Sequence, residues 1–238
     1  MPRFYELVGE LEKRFPTDWW IVSRRESARI LDENSFPQIA IYDRALCALD
    51  DDSWTILSER AIEVFSEPKR DRGKSQFFNL LNEALAYEYL ILNGFNSVRL
   101  LRANSKNKSP DICCSRDFET RYCEVKTIGV SGEELARIRS EEVFSSAVYS
   151  LLGHQFFEKL RSTICAAKEQ MDAVKGNGIV YLIVHFDDFA LDHYDTYKNQ
   201  ITEFLALDFP GQEVVVRVNI DDPRYIFHCC GENICCKL

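Results

Sequence analysis

Side chains that could carry chemistry are concentrated in the stretch SPDICCSRDFETRYCEVKTIG, residues 109–129. Its three cysteines could bind a soft metal through sulfur, and they are Cys113, Cys114 and Cys123. It also holds two carboxylates and an ammonium group, at Asp111, Glu124 and Lys126. Carboxylates are ligands for hard divalent cations. The side chains that share one face of the folded segment therefore decide which kind of site is expected.

The segment is predicted to be a β-hairpin, with strands at about 110–115 and 120–128 and a turn at Asp117-Phe118. In that register Asp111 lies opposite Glu124. Directly opposed residues share a face, with Cβ atoms roughly 4.5–5.5 Å apart. The hairpin therefore predicts that the two carboxylates converge.

Alternation along the second strand places Lys126 on the face of Glu124 and turns Val125 to the other face. Two carboxylates held this close repel each other unless a cation lies between them. Two oxygen ligands with retained water suit Mg²⁺ or Mn²⁺. An ordinary surface charge cluster would contain the same residue types, and strand pairing alone leaves that alternative open.

The cysteines do not converge in the same register. Cys113 shares the face of Asp111, whereas Cys114 and Cys123 lie on the opposite face with Ile112. They cannot surround one zinc ion without breaking the sheet, and buried cysteines pack as small hydrophobic residues. The segment therefore favours an oxygen-ligand site over a zinc site.

The elements around the hairpin predict an α/β sandwich with a central mixed sheet. A strong helix over 76–93 ends before Gly94, a residue favoured just after a helix. The apolar run at 179–186 is typical of a strand buried on both faces. The remaining predicted elements are a strand at 96–102, a helix at 154–174, a helix at 193–206 and a strand at 214–220.

Residues 1–66 are predicted to be a small α+β region, and residues 67–238 a second domain. Apolar residues at helical spacing open the chain, and Pro16 closes that run. Ile39–Tyr42 is predicted to be a short strand. The polar stretch SEPKRDRGKS, with its proline and glycine, is typical of a linker or an exposed loop.

Pro110-Asp111, followed by Glu124-Val125-Lys126 at the end of the next strand, resembles the PD-(D/E)xK signature of restriction-endonuclease-like nucleases. The helix that carries Glu83 and ends at Gly94-Phe95 is similar to the first helix of archaeal Holliday junction resolvases. This resemblance covers about residues 76–128. It implies a restriction-endonuclease-like α/β/α fold and a metal-dependent nuclease.

The resemblance also implies roles for individual residues. Asp111 and Glu124 would bind Mg²⁺ or Mn²⁺, with the Val125 carbonyl as a possible third ligand. Lys126 would be the catalytic lysine, and Glu83 would assist from its helix.

Glu88 is an alternative to Glu83 as the helix carboxylate. It falls in the middle of an apolar stripe at helical spacing, where a carboxylate is costly unless it has a partner. The resemblance favours Glu83, and either residue could instead form a structural ion pair.

Charge is distributed unevenly along the chain. The formal net charge is −9, which argues against non-specific adhesion to nucleic acid. Residues 68–126 nevertheless carry a formal +4, so the rest of the chain carries −13. A basic middle segment is compatible with a local polyanion site or with a solvated loop. The residues placed to contact phosphates are Arg99, Arg102, Lys106, Lys108 and Gln170.

The cysteine count favours a reducing, cytoplasmic compartment. The chain has nine cysteines, its first residues lack a secretory apolar region, and no run approaches the length of a membrane span. Near the end, Cys229-Cys230 and Cys235-Cys236 could form a zinc knuckle with His228. Adjacent pairs do not match the usual ligand spacing, so alternating burial in a hairpin is favoured.

The resulting expectation is a nuclease that cleaves phosphodiester bonds, with DNA favoured over RNA, in host defence or DNA processing. Residues 1–66 would serve substrate recognition, dimerisation or docking to a protein partner. Two alternatives remain, namely a non-catalytic interaction module that keeps the fold and an RNA endonuclease.

Overall fold

The computed structural model describes residues 2–28, 37–66, 74–102, 109–129, 140, 150–174, 178–186, 192–219 and 225–229. Within these ranges no helix is both long enough and apolar enough to cross a membrane.

Seven helices and six strands lie in the described ranges. The helices are α1 Arg3–Arg14, α2 Trp19–Ala28, α3 Pro37–Ala48, α4 Asp51–Phe65, α5 Ser75–Leu92, α6 His154–Asp172 and α7 Tyr194–Asp208. The strands are β1 Asn96–Leu100, β2 Ile112–Arg116, β3 Glu119–Ile128, β4 Gly178–Val184, β5 Glu213–Val218 and β6 Ile226–Cys229.

The fold class is α/β with a mixed, open sheet, as predicted. Its strand order is β1-β2-β3-β4-β5-β6. β1 and β2 are antiparallel, β4 is parallel to both β3 and β5, and β6 is antiparallel to β5. The strands and helices predicted between residues 75 and 220 all occur, each within a few residues of its expected bounds.

The chain divides into two compact units. One contains residues 1–105 and 111–121, and the other contains residues 106–110 and 122–238. The predicted boundary at residue 66 therefore does not separate these units. Helices α1 to α4 belong to the same unit as α5, because α3 and α4 both pack against α5.

Helix α5 is the centre of the first unit. Every residue from Leu80 to Leu90 is buried, so the helix is covered around its whole circumference. The expected strand at Ile39–Tyr42 was wrong, because these residues lie in α3. Tyr42, Ala45 and Leu46 are buried at helical spacing, and Tyr42 donates a hydrogen bond to Asn82 of α5 at 2.8 Å. Packing against α5 thus overrides the local strand preference, and the described part of residues 2–66 contains only helices.

Gly94 ends α5 as predicted. Its φ of 79° lies in the left-handed region, where a side chain is disfavoured. The Gly94 amide donates to the Ile91 carbonyl at 3.1 Å, and the Phe95 amide donates to the Leu90 carbonyl at 3.0 Å. This is the Schellman pattern, which satisfies the last carbonyls of a helix.

The hairpin of β2 and β3 turns at the predicted residues. Asp117 and Phe118 both have positive φ, at 52° and 66°, as a two-residue turn of type I′ requires. The Cys114 thiol donates to the Arg121 carbonyl at 3.6 Å. That contact agrees with the register expected for a two-residue turn. The two positive φ angles confirm the position of the turn.

The second unit contains the parallel strands and their helices. One face of β4 and β5 packs with α6 and α7. Alternate residues of β4, such as Val180 and Leu182, lie in this core, and the residues between them are buried as well. The prediction of a strand buried on both faces is confirmed. The core is completed by Leu160, Ile164, Ala167, Met171, Ile201, Leu205, Val214, Val216 and Val218.

The end of the chain is described only to Cys229, which is buried in β6. The predicted hairpin around the cysteine pairs extends beyond this residue, so Cys230, Cys235 and Cys236 lie outside the described residues.

Candidate functional site

Glu124 and Lys126 lie on the same face of β3. In the parallel register Glu124 is the partner of Val180, and Lys126 is the partner of Leu182. Both partners belong to the core that packs with α6. The face assignment made from alternation is therefore confirmed, and both side chains lie on the side of the sheet that α6 covers.

The ammonium group of Lys126 binds two oxygen atoms within the second unit. It donates a short hydrogen bond to Glu124 Oε1 and another, of 2.7 Å, to Gln170 Oε1 of α6. The Glu124 side chain is 1% exposed, whereas that of Lys126 is 24% exposed. A carboxylate this deeply buried needs a charged or hydrogen-bonding partner, and Lys126 supplies it.

Gln170 contacts the segment that precedes the hairpin. Its Nε2 donates to the Ser109 carbonyl at 3.2 Å, while its Oε1 accepts from Lys126. Ser109 belongs to the same compact unit as Gln170 and Lys126, and it stands two residues before Asp111 in the sequence. One amide side chain therefore joins the catalytic candidate Lys126 to the backbone of Ser109.

Asp111 belongs to the first unit and is half-buried at the start of β2. Its carbonyl accepts a hydrogen bond from the Leu101 amide at 2.8 Å, which fixes its backbone beside β1. The opposition of Asp111 and Glu124 stays a prediction.

Val125 lies between Glu124 and Lys126 on β3, where its register partner is Tyr181. Tyr181 alternates with the core residues Val180 and Leu182, so the Val125 side chain lies on the opposite face, as alternation predicts. The role of its carbonyl as a ligand stays a prediction.

Glu83 is buried on α5 and forms an ion pair with Arg60 of α4. Both carboxylate oxygens accept from the guanidinium, with Nη–Oε distances of 2.7 and 2.9 Å. Bidentate pairs of this kind are strong and geometrically specific. Both oxygens of Glu83, the favoured helix carboxylate, are thus bound by a basic side chain of the same unit.

Glu88 forms a similar pair with Arg44 of α3. The distances are 2.6 Å from Nε to Oε1 and 3.2 Å from Nη2 to Oε2. This hydrogen bond raises the pKa of Arg44, with a smaller opposing effect of burial. The structural ion pair considered from the sequence therefore occurs at both helix carboxylates.

The basic residues predicted to contact phosphate are only partly described. Arg99 and Arg102 are exposed, and both belong to the first unit. Arg99 approaches the Cys113 sulfur at 3.9 Å, and Arg102 lies 3.4 Å from Glu59. Lys106 and Lys108 lie outside the described residues. Contact with nucleic acid stays a prediction for all four.

The cysteines of the hairpin, Cys113, Cys114 and Cys123, are buried free thiols. In the described ranges no three His, Cys, Asp or Glu side chains form a group that could hold a metal ion. The site predicted from the sequence has two carboxylates, so water and substrate oxygens would have to complete the coordination of a magnesium ion.

Arg60, Arg44 and Ser109 were not identified from the sequence. Arg60 and Arg44 lie 23 and 44 residues from their partners, and each looks like an ordinary solvated residue of an amphipathic helix. Ser109 contributes a carbonyl, a group that every residue has. The one available signal was the buried stripe of α5, which indicated that Glu88 needs a partner.

Comparisons with family models, with curated proteins and with solved structures find no match to this chain.

Proposed function

We propose that the chain is a metal-dependent nuclease with a restriction-endonuclease-like fold, which hydrolyses phosphodiester bonds in nucleic acid. DNA is favoured over RNA as the substrate, and Mg²⁺ or Mn²⁺ is the cofactor. The cytoplasm is the proposed location, because the six cysteines of the described residues are free thiols.

The pairing of Glu124 with Lys126 is the observation that carries this proposal. A carboxylate with 1% exposure gains little net stability from an ion pair, because its desolvation cost offsets most of the attraction. A hydrophobic pair would suit the core beside Val180 and Leu182 better. Buried charge pairs also occur as structural ion pairs, as at Glu83 and Glu88. The resemblance of this segment to a nuclease signature favours a role in chemistry for Glu124 and Lys126.

The donor set of the segment fits a hard divalent cation, because Asp111, Glu124 and the Val125 carbonyl offer only oxygen atoms. These residues would hold the ion. When bound, such an ion binds a phosphate oxygen and lowers the pKa of a coordinated water.

Lys126 is the residue of the chain that would act on the reacting phosphate. An ammonium group has three N–H donors, and Glu124 and Gln170 each accept one of them. The remaining donor would bind a non-bridging phosphate oxygen and stabilise the charge that develops on it. The same positive charge would also orient a nucleophilic water.

Residues 1–66 are proposed to serve substrate recognition, dimerisation or docking to a partner. In the first unit, α3 and α4 of this region pack on α5. The region would thus present its surface from the same compact body that carries Asp111, Arg99 and Arg102.

A second candidate is a non-catalytic module that keeps the nuclease fold. The specific observation in its favour is the ion pair of Glu83 with Arg60, which uses both oxygens of the proposed helix carboxylate. Under this alternative the buried charges serve structure, and the chain binds a partner without cleaving it.

A cleavage assay separates the two candidates. Labelled duplex, single-stranded and branched DNA, together with RNA, would be incubated with Mg²⁺ or Mn²⁺ and with chelator. Asp111→Asn and Lys126→Ala are expected to abolish metal-dependent cleavage. Lys13→Ala and Asp172→Asn are matched controls, because Lys13 is 73% exposed on α1 and Asp172 is exposed at the end of α6.

Cleavage that survives both site substitutions would exclude a nuclease centre at this segment. A folded wild-type protein that cleaves none of the substrates, yet retains nucleic-acid binding in chelator, would favour the non-catalytic module. The relative amounts of cleaved DNA and cleaved RNA decide the substrate class.

A further inference from the structure

We propose that Gln170 is a positioning residue, whose side-chain amide holds the Lys126 ammonium and the backbone before Asp111 in a fixed relation. This inference rests on the proposed nuclease function, because it assigns a role beside the catalytic lysine. It is an alternative to the direct nucleic-acid contact expected of Gln170 from the sequence.

In each hydrogen bond of Gln170, the chemistry of its partner fixes which atom donates and which accepts. Lys126 can only donate, so the atom it contacts at 2.7 Å must be the amide oxygen. The Ser109 carbonyl can only accept, so the atom it contacts at 3.2 Å must be the amide nitrogen. The two contacts agree on one amide orientation. The amide of Gln170 thus accepts from the ammonium group through its oxygen and donates to the carbonyl through its nitrogen at the same time.

Helix α6 provides a rigid base for this amide. Gln170 is followed by Met171, and Ala167 lies one turn earlier, and both are buried in the core of the second unit. Met171 also fills the space beside Gly178 of β4, where an added Cβ would lie 2.1 Å from its sulfur. Because α6 is fixed to the sheet on either side of this point, the position of the Gln170 amide is well determined.

A fixed amide reduces the conformational freedom of Lys126. A lysine side chain has several rotatable bonds, and a catalytic ammonium must adopt one orientation in the transition state. Lys126 could contact Glu124 alone from several of its rotamers. Contact with both Glu124 and Gln170 restricts the ammonium group to one region. The same amide orders the Ser109 carbonyl in the segment that leads to Asp111.

Three roles of Gln170 give different kinetic results. A positioning residue affects kcat, because it acts on the geometry of the reacting complex. A residue that contacts nucleic acid directly affects KM and the dissociation constant. A residue with only a structural role affects the free energy of unfolding and leaves both kinetic constants unchanged.

The test compares Gln170→Met, Gln170→Glu and the control Gln155→Met, which replaces an exposed glutamine on the same helix. Methionine keeps the length of the side chain but removes both hydrogen bonds. Glutamate keeps an acceptor for Lys126 but cannot donate to Ser109. We expect Gln170→Met to lower kcat at least about tenfold, with KM and binding in chelator unchanged. We expect Gln170→Glu to recover part of that loss, and Gln155→Met to match the wild type.

A second readout does not depend on activity. The side-chain ¹⁵Nζ signal of Lys126, assigned with a Lys126→Arg variant, reports whether its ammonium protons are held in hydrogen bonds. It should be visible in the wild type, broadened by exchange with water in Gln170→Met, and retained in Gln170→Glu.

The outcomes separate this inference from the nuclease proposal. A raised KM with unchanged kcat in Gln170→Met would overturn the positioning role. An unchanged Lys126 signal in that variant would also overturn it. An inactive wild type overturns the nuclease proposal, and the Lys126 signal then still decides whether Gln170 orders the ammonium.

Discussion

Arg60 binds Glu83 through both carboxylate oxygens, at 2.7 and 2.9 Å, and so joins α4 to the buried face of α5. The Arg60 side chain is 27% exposed and that of Glu83 is 7% exposed. The pair of Arg44 and Glu88 has the same chemistry, but its arginine is 58% exposed. A comparison of the two pairs therefore tests how the burial of the arginine changes the contribution of an ion pair to the free energy of unfolding.

Arg60→Ala is expected to lower the free energy of unfolding by about 2 kcal/mol, because it leaves the buried Glu83 carboxylate without its guanidinium partner. Arg44→Ala should cost less than Arg60→Ala. Glu88 is nearly as buried as Glu83, at 9% exposure, but removal of the more exposed Arg44 side chain gives water access to the carboxylate that it leaves. Urea unfolding of both variants measures the difference. Equal losses would show that the burial of Arg60 does not matter.

Gly178→Ala is expected to destabilise the second unit by about 1–3 kcal/mol, because overpacking forces side chains and backbone to move. The new Cβ would lie 2.1 Å from the Met171 sulfur and 2.9 Å from the Tyr122 carbonyl oxygen. Gly9→Ala is the control, because Gly9 lies inside α1 and nothing surrounds its missing Cβ within 4 Å. That variant should gain about 0.5–1 kcal/mol. Thermal or urea unfolding compares them, and a neutral Gly178→Ala would contradict the close packing of Met171.

Phe118→Gly is expected to stabilise the hairpin relative to Phe118→Ala by about 0.5–1 kcal/mol. Phe118 has a φ of 66°, and its side chain is fully exposed, so neither variant loses packing. Alanine keeps the unfavourable left-handed conformation, whereas glycine adopts it freely. Both variants would be compared with the wild type by urea unfolding. If alanine and glycine proved equally stable, the positive φ at the turn would be in doubt.

The stability of the protein is expected to fall as pH rises from about 10 to about 12, in part because of Tyr194. Burial raises the pKa of Tyr194 to about 12, with smaller contributions from Asp195 and Tyr225. Below about pH 10 the phenol is protonated in the folded and the unfolded chain, so it adds no pH dependence. Above that pH the unfolded chain loses the proton first, and ionisation favours unfolding.

Tyr194→Phe should therefore show a shallower loss of stability than the wild type between about pH 10 and about pH 12. Phenylalanine keeps the ring that packs 4.5 Å, centroid to centroid, from Tyr225. Urea unfolding at several pH values gives the two slopes. Identical slopes would mean that Tyr194 does not contribute.

Local signals in the sequence were sufficient for most of the elements after residue 75. Gly94 after an amphipathic run predicts the end of α5, because a left-handed residue is needed there and glycine adopts it without strain. The position of the hairpin turn at Asp117-Phe118 was also predicted from the sequence. Side-chain alternation along β3 predicts that Glu124 and Lys126 share one face.

The N-terminal helices could not be predicted in the same way. Ile39–Tyr42 has the residues of a strand, yet it lies in α3, because α5 offers an apolar surface that a helix covers better. The polar stretch after residue 66 looked like a domain boundary, yet α3 and α4 belong with α5 to one compact unit. Tertiary packing decided both points, and a local pattern does not contain that information.

For the candidate site, the sequence by itself determined which residue types lie on one strand face, because side-chain alternation is a property of the local backbone. Only the tertiary structure decided the partners. Gln170 meets Lys126 across 44 residues, and Arg60 meets Glu83 across 23. Such pairs depend on how whole helices pack against a sheet or against each other, and that packing is set by the summed burial of many side chains rather than by the spacing of a few.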